Sequence, residues 1–199
     1  MSGRRSRGSR DLRRRSDTKK EKPRILIVTE GANTEPQYFR GLIRDLQASG
    51  VEVYRLRVEG IGRDPERVVQ KAVVISSEAP AGDEYEHVWC VVDVDDHATL
   101  EKALLAARRA SIKVAISNPC FDVWLLWHFS EHRSHVNQAT LKRKLRDFGI
   151  HDKNLPDDFP YANHTSAMAR AEACGVSDGF EIPANPSSSV GRLIRMLTR

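Results

Sequence analysis

His87-Val88-Trp89-Cys90-Val91-Val92-Asp93-Val94-Asp95-Asp96-His97 decides the fold of this 199-residue chain. From Val88 to Val92 every side chain is apolar, so both faces of an extended segment would be hydrophobic. That pattern predicts a central parallel strand covered by helices on each side. After the carboxylates, 99–110 reads as a helix and 112–116 as a further strand. Working back toward the N-terminus, Arg24-Ile25-Leu26-Ile27-Val28-Thr29 is a second apolar, β-branched run, stopped by Glu30-Gly31. Thr34-Glu35-Pro36 then starts a helix over 34–48, with Phe39, Leu42, Ile43 and Leu46 as its apolar stripe and Gly50 as its stop. A strand over 51–58, with Val51 and Val53 inward, leads to a Gly60-Ile61-Gly62 loop. Asp64-Pro65 supplies a cap and a first-turn proline for a helix to residue 77. Strands alternating with helices predict an α/β protein: an open parallel sheet of about four strands with right-handed crossovers. From Pro119 onward the pattern is helical, over 119–129, 138–148, 166–174 and 189–197. The expected organisation is an α/β core over 24–130 and a helical extension over 131–199.

Composition places limits on function. The chain is 40% hydrophobic and 30% charged, the balance of a soluble globular protein. No apolar run approaches the roughly 18 residues that span a bilayer, and charge begins at the fourth residue. The expectation is a cytoplasmic protein with no membrane partner. Cys90, Cys120 and Cys174 form no Cys-x-x-Cys pair, which argues against a zinc ribbon or a disulfide framework and for small buried hydrophobes. The formal net charge of +5 is uneven: residues 1–24 carry eleven Lys or Arg against three acids, a local +8 that leaves −3 for the remainder. Residues 1–23 read as a disordered basic arm, since one leucine cannot offset the entropy of ordering them. Arg4, Arg5, Arg13, Arg14, Arg15, Lys19 and Lys20 would suit a phosphate backbone, releasing counterions on binding. A solubilising tail is the alternative.

In an open parallel sheet, ligands bind at the carboxyl ends of the strands. Glu30 ends the first strand there, and Asp93, Asp95, Asp96 and His97 end the third. Carboxylates two residues apart on an extended chain point the same way, about 7 Å apart. Several like charges held together call for a cation, and oxygen donors favour Mg2+ or Mn2+ over zinc. The competing view of 93–97 is a polar turn capping the next helix.

The chain also resembles known families. Val28-Thr29-Glu30-Gly31 followed by Asp93-Val94-Asp95 resembles the Toprim domain of topoisomerases, primases and overcoming-lysogenization-defect nucleases. More closely, four segments are similar to the RloB family, in its order. They are Glu30-Gly-Ala-Asn-Thr-Glu35-Pro-Gln-Tyr38-Phe39, Asp93-Val-Asp95-Asp96-His97, Ser117-Asn118-Pro119-Cys120-Phe121-Asp122-Val-Trp124-Leu-Leu-Trp-His128-Phe129 and Asn185-Pro186-Ser187. The resemblance covers about residues 24–199. Two positions depart: Asp122 stands where the family usually has Glu, and Ser188 where it often has Thr. The resemblance implies a Toprim-like fold, a place in prokaryotic defence loci beside a separate ATPase subunit encoded nearby, and nuclease activity on DNA or RNA. No Gly-x-x-x-x-Gly-Lys-Ser/Thr loop is present, so an ATPase would be another chain.

The residues then sort by role. Asp93 and Asp95 would hold the ion, with Glu35 and Asp96 as further ligands, and Glu30 would bind metal or move a proton. His97 would handle phosphate or a proton. Ser117, Asn118, Asp122, Asn185 and Ser187 would bind the phosphate or substrate, Pro119 starting the helix whose amides face it. Each has a plainer alternative: Glu35 as a first-turn acid, Asn118 as an N-cap, His128 as a buried core histidine, and Lys142, Arg143, Lys144 and Arg146 as a solvated helix face. At the level of function, a non-catalytic nucleic-acid-binding scaffold and a phosphatase acting on a small substrate compete with the nuclease.

Overall fold

A computed structural model describes residues 24–62, 64–94, 99–151, 154–175 and 180–198. Its sheet has five strands in the order β2-β1-β3-β4-β5: β1 (Arg24–Thr29), β2 (Arg55–Gly60), β3 (His87–Asp93), β4 (Lys113–Asn118) and β5 (Ser187–Ser188). The first four run parallel, and β5 lies antiparallel to β4. Seven α-helices accompany them among the described residues: α1 (Thr34–Ala48), α2 (Pro65–Ser77), α3 (Leu100–Arg109), α4 (Asp122–Leu126), α5 (Gln138–Arg146), α6 (His164–Ala173) and α7 (Val190–Leu197). This mostly parallel α/β architecture is consistent with the expected Toprim-like fold. No described helix is long and apolar enough to cross a membrane.

The apolar runs are explained by alternation between two cores. Ile25, Ile27, Trp89, Val91 and Ala115 face one layer, packed with α1, α4, α5, α6 and α7. Leu26, Val28, Cys90, Val92, Val114 and Ile116 face the other, packed with α2 and α3. Each large side chain fully withdrawn from water contributes about 1.5–3 kcal/mol, so the two-sided strands β1 and β3 anchor the molecule. In α1 the buried stripe is Tyr38, Phe39, Leu42 and Leu46, with Ile43 only half-buried. Gly50, at φ +78°, stops that helix in the left-handed region open to glycine. In α2, Asp64 accepts from the Arg67 amide at 3.3 Å and Pro65 occupies the first turn, as expected.

Three expected elements differ. The second strand is 55–60, not 51–58, because its parallel pairing begins at Arg24↔Arg55; Val51 and Val53 pack in the approach to it. Gly60 is the last residue of that strand, and the close approach of the Ala32 backbone, 2.8 Å from where a Cβ would lie, requires glycine there. The helix expected over 119–129 shrinks to α4, flanked by turns such as Val123 N to Cys120 O and His128 N to Leu125 O. Its N-cap position is Phe121, not Asn118, and Pro119 lies outside it. The C-terminal segment is not wholly helical either: Ser187 and Ser188 close the sheet against β4.

Candidate active site

Glu30 extends β1 by one residue, its amide donating to the Val91 carbonyl at 2.9 Å. Its Oε2 accepts from the Asp93 amide at 3.1 Å. The two acidic residues thus stand together at the carboxyl ends of adjacent strands. Asp93 Oδ1 in turn accepts from the Phe121 amide at 2.9 Å, which ties the end of β3 to the start of α4. Glu35 is buried in the first turn of α1, at 6% exposure, and its Oε1 accepts from the Gly31 amide at 2.9 Å. A Cβ on Gly31 would fall 1.9 Å from Glu35 Oε2, so only glycine leaves room for this carboxylate. Around it, Ile61 N donates to Thr29 O and Gly62 N to Glu30 O, at 3.0 and 2.8 Å. Each of the three carboxylates therefore has an oxygen oriented by a backbone amide.

Gly31, Glu35, Asp93 and Phe121 border a cleft of about 340 Å³, and Glu30 adjoins it through its bond from the Asp93 amide. One wall is acidic, with Glu35, Asp93 and Asp122. The facing wall is α5, which presents Gln138, Lys142 and Arg146. Between them lie Cys120, Phe121, Leu145 and Ile150, all buried.

The remaining expected site residues are placed elsewhere or lie outside the description. Asp95, Asp96, His97 and the arm residues Arg4, Arg5, Arg13, Arg14, Arg15, Lys19 and Lys20 lie outside the described residues. Ser117 is buried with its hydroxyl 2.9 Å from that of Ser188. Asn118 Nδ2 donates to Pro183 O at 2.7 Å, and Ser187 Oγ to Gly175 O at 3.1 Å. Asn185 pins Val136, accepting from its amide and donating to its carbonyl, both at 2.9 Å. None of these four lines the cleft; Ser117 and Asn118 tie the C-terminal segment to the rim of the sheet, and Asn185 and Ser187 tie it to Val136 and Gly175. His128 is buried and hydrogen-bonded. Its Nδ1 donates to the Trp124 carbonyl at 3.0 Å, so Nε2 accepts from the Tyr38 hydroxyl at 3.2 Å. Burial holds its pKa down to about 4 and pushes that of Tyr38 up.

Gln138 was not singled out by sequence, and the cleft-facing role of Lys142 and Arg146 was not separated from their neighbours. The available signal was spacing: 138, 142 and 146 share one helix face, beside the buried Leu141 and Leu145.

A mostly parallel α/β sheet with backbone-oriented carboxylates at its carboxyl edge defines the class. A family model described as RloB-like protein matches residues 25–197. The chain belongs to the RloB-like family. A comparison with curated proteins gives no match.

Proposed function

We propose that the chain is a divalent-metal-dependent nuclease, the effector of a prokaryotic phage-defence or abortive-infection system that works with a separate ATPase subunit. The observation that carries the catalytic part is the 3.1 Å bond from the Asp93 amide to Glu30, which joins two acidic residues at one end of the sheet. The defence setting and the ATPase rest on the family resemblance alone.

Among the described residues, no group of three or more His, Cys, Asp or Glu could hold a metal ion. The donor chemistry nevertheless fits Mg2+ or Mn2+, because magnesium is commonly held by one or two carboxylates, with water and substrate phosphate completing the shell. Glu30 and Asp93 would hold it, with Asp95 and Asp96 following in sequence. A bound ion would stabilise charge on the phosphoryl oxygens and lower the pKa of water. Glu30, fixed by the Asp93 amide, would orient the ion or accept a proton at its carboxylate.

A second reading, a scaffold that binds nucleic acid without cutting, is favoured by the cationic wall of the cleft, where Lys142 and Arg146 could hold a phosphate backbone with no ion present. Calorimetric Mn2+ titration of the full chain separates the two. The nuclease reading expects binding that weakens at least tenfold in Glu30→Gln or Asp93→Asn; a scaffold shows none. Expression together with the ATPase tests the effector role. Toxicity lost in Glu30→Ala and Asp93→Ala supports it, and toxicity unchanged in both contradicts it.

A further inference from the structure

The cleft is divided in a way that the carboxylates alone do not explain. Lys142 and Arg146 stand one helical turn apart on α5, both exposed, while Arg143 and Lys144 on the same helix do not line it. Side chains four apart on a helix are neighbours, with Cβ atoms about 5–6 Å apart. That separation is comparable with the spacing of successive phosphates along one strand. An arginine engages phosphate through its planar fork and a lysine as a point charge. The floor between the cationic and acidic walls is apolar: Phe121, Leu145 and Ile150.

We propose that this cleft is a single-strand nucleic-acid site, in which Lys142 and Arg146 hold phosphates and the apolar floor receives an unstacked base. The proposal rests on the nuclease reading, since it names the substrate class of the same site. A duplex matches the cleft poorly. Its bases are stacked behind two backbones and reach such a floor only by extrusion. At about 340 Å³ the cleft is also at the small end of ligand pockets, roughly 300–1,000 Å³. A single strand offers phosphate and base together, and its binding follows from charge plus stacking on the base face. Lys142, Arg146 and the apolar floor engage phosphate and base, which DNA and RNA have in common.

The test is fluorescence anisotropy on the full chain in EDTA, which reads binding without hydrolysis. The probes are 16-nucleotide single strands of DNA and of RNA, and the same strands annealed to their complements. Single strands are expected to bind at least tenfold more tightly than duplexes. Lys142→Ala with Arg146→Ala should weaken single-strand binding at least tenfold. It should also flatten the salt dependence by about 0.7 in log–log slope for each phosphate that is no longer neutralised. Arg143→Ala with Lys144→Ala, which removes the same charge from the same helix, should stay within about twofold. All four residues are at the surface, so both variants should fold, as circular dichroism would show. Duplex binding as tight as single-strand binding overturns the proposal. So does an equal loss in the two double variants, which would mark α5 as a general cationic face. Preferential single-strand binding by a protein that never cuts would support this proposal while retiring the nuclease reading.

Discussion

Gly31 and Glu35 show how a single hydrogen atom shapes the rim of the cleft. Gly31→Ala drives a methyl group into the Glu35 carboxylate, the mobile end of a side chain, so the fold should survive and the 2.9 Å bond from the Gly31 amide should not. The expected loss is about 1.5–3 kcal/mol in urea unfolding, the range for a hydrogen bond to a charged group. A variant as stable as wild type would mean that Glu35 is held by other groups. His128 supplies a pH signature. Its folded pKa of about 4 lies below the unfolded value near 6.5, so the unfolded chain binds the extra proton between those pH values. Stability is therefore full above pH 6.5 and falls as pH drops toward 4, by about 3 kcal/mol from this residue. His164 and Arg170 act in the same direction, disfavouring a charged His128. Glutamine can keep a donor toward Trp124 and an acceptor toward Tyr38, so His128→Gln should lose this component. Parallel pH–stability curves for the two proteins would contradict the assignment.

At the scale of elements, the C-terminal segment completes the exposed side of β4. Ser189 Oγ accepts from the Ile116 amide at 2.8 Å, and the Ser189 amide donates back to the Ile116 carbonyl at 2.9 Å, in a buried environment. Ser189→Ala leaves a buried amide without that acceptor and should cost about 1–3 kcal/mol. Thermal unfolding of this variant beside Ser134→Ala, at an exposed position, measures it; equal midpoints would mean that another group satisfies Ile116. The same elements show what local patterning reveals. β1, α1, α2 and β3 were legible because apolar runs, the Asp64-Pro65 start and the glycine stop all act within a few residues. β2 slipped by several residues because its register is set by β1, distant in sequence. β5 was invisible, as two serines have no strand pattern of their own and pair only because β4 offers an edge. Ser117, Asn118, Asn185 and Ser187, expected to bind substrate, each tie two segments of the fold together. Polar residues at a strand end have the same appearance whether they face a ligand or tie two segments together.

At the scale of the whole molecule, the sheet order brings separate parts of the chain to one cleft: the Gly31–Glu35 segment beside Glu30, the end of β3, the start of α4 and one face of α5. The acidic side was readable, since carboxylates after apolar strands fall at the functional edge of such a sheet. The cationic side was not, because only the fold shows which two of the four basic residues in α5 line the cleft. The claim that joins these parts is that Glu30 and Asp93 form a metal-dependent hydrolytic centre. Its most direct measurement is the cleavage rate of labelled single- and double-stranded DNA and RNA across Mg2+ and Mn2+ concentrations, with and without the proposed ATPase subunit. Wild type is compared with Glu30→Gln and Asp93→Asn. The expected result is cleavage that rises with metal, saturates, and falls at least a hundredfold in both variants while their melting temperatures stay near wild type. Cleavage independent of metal, or variants that cut at the wild-type rate, would contradict the claim.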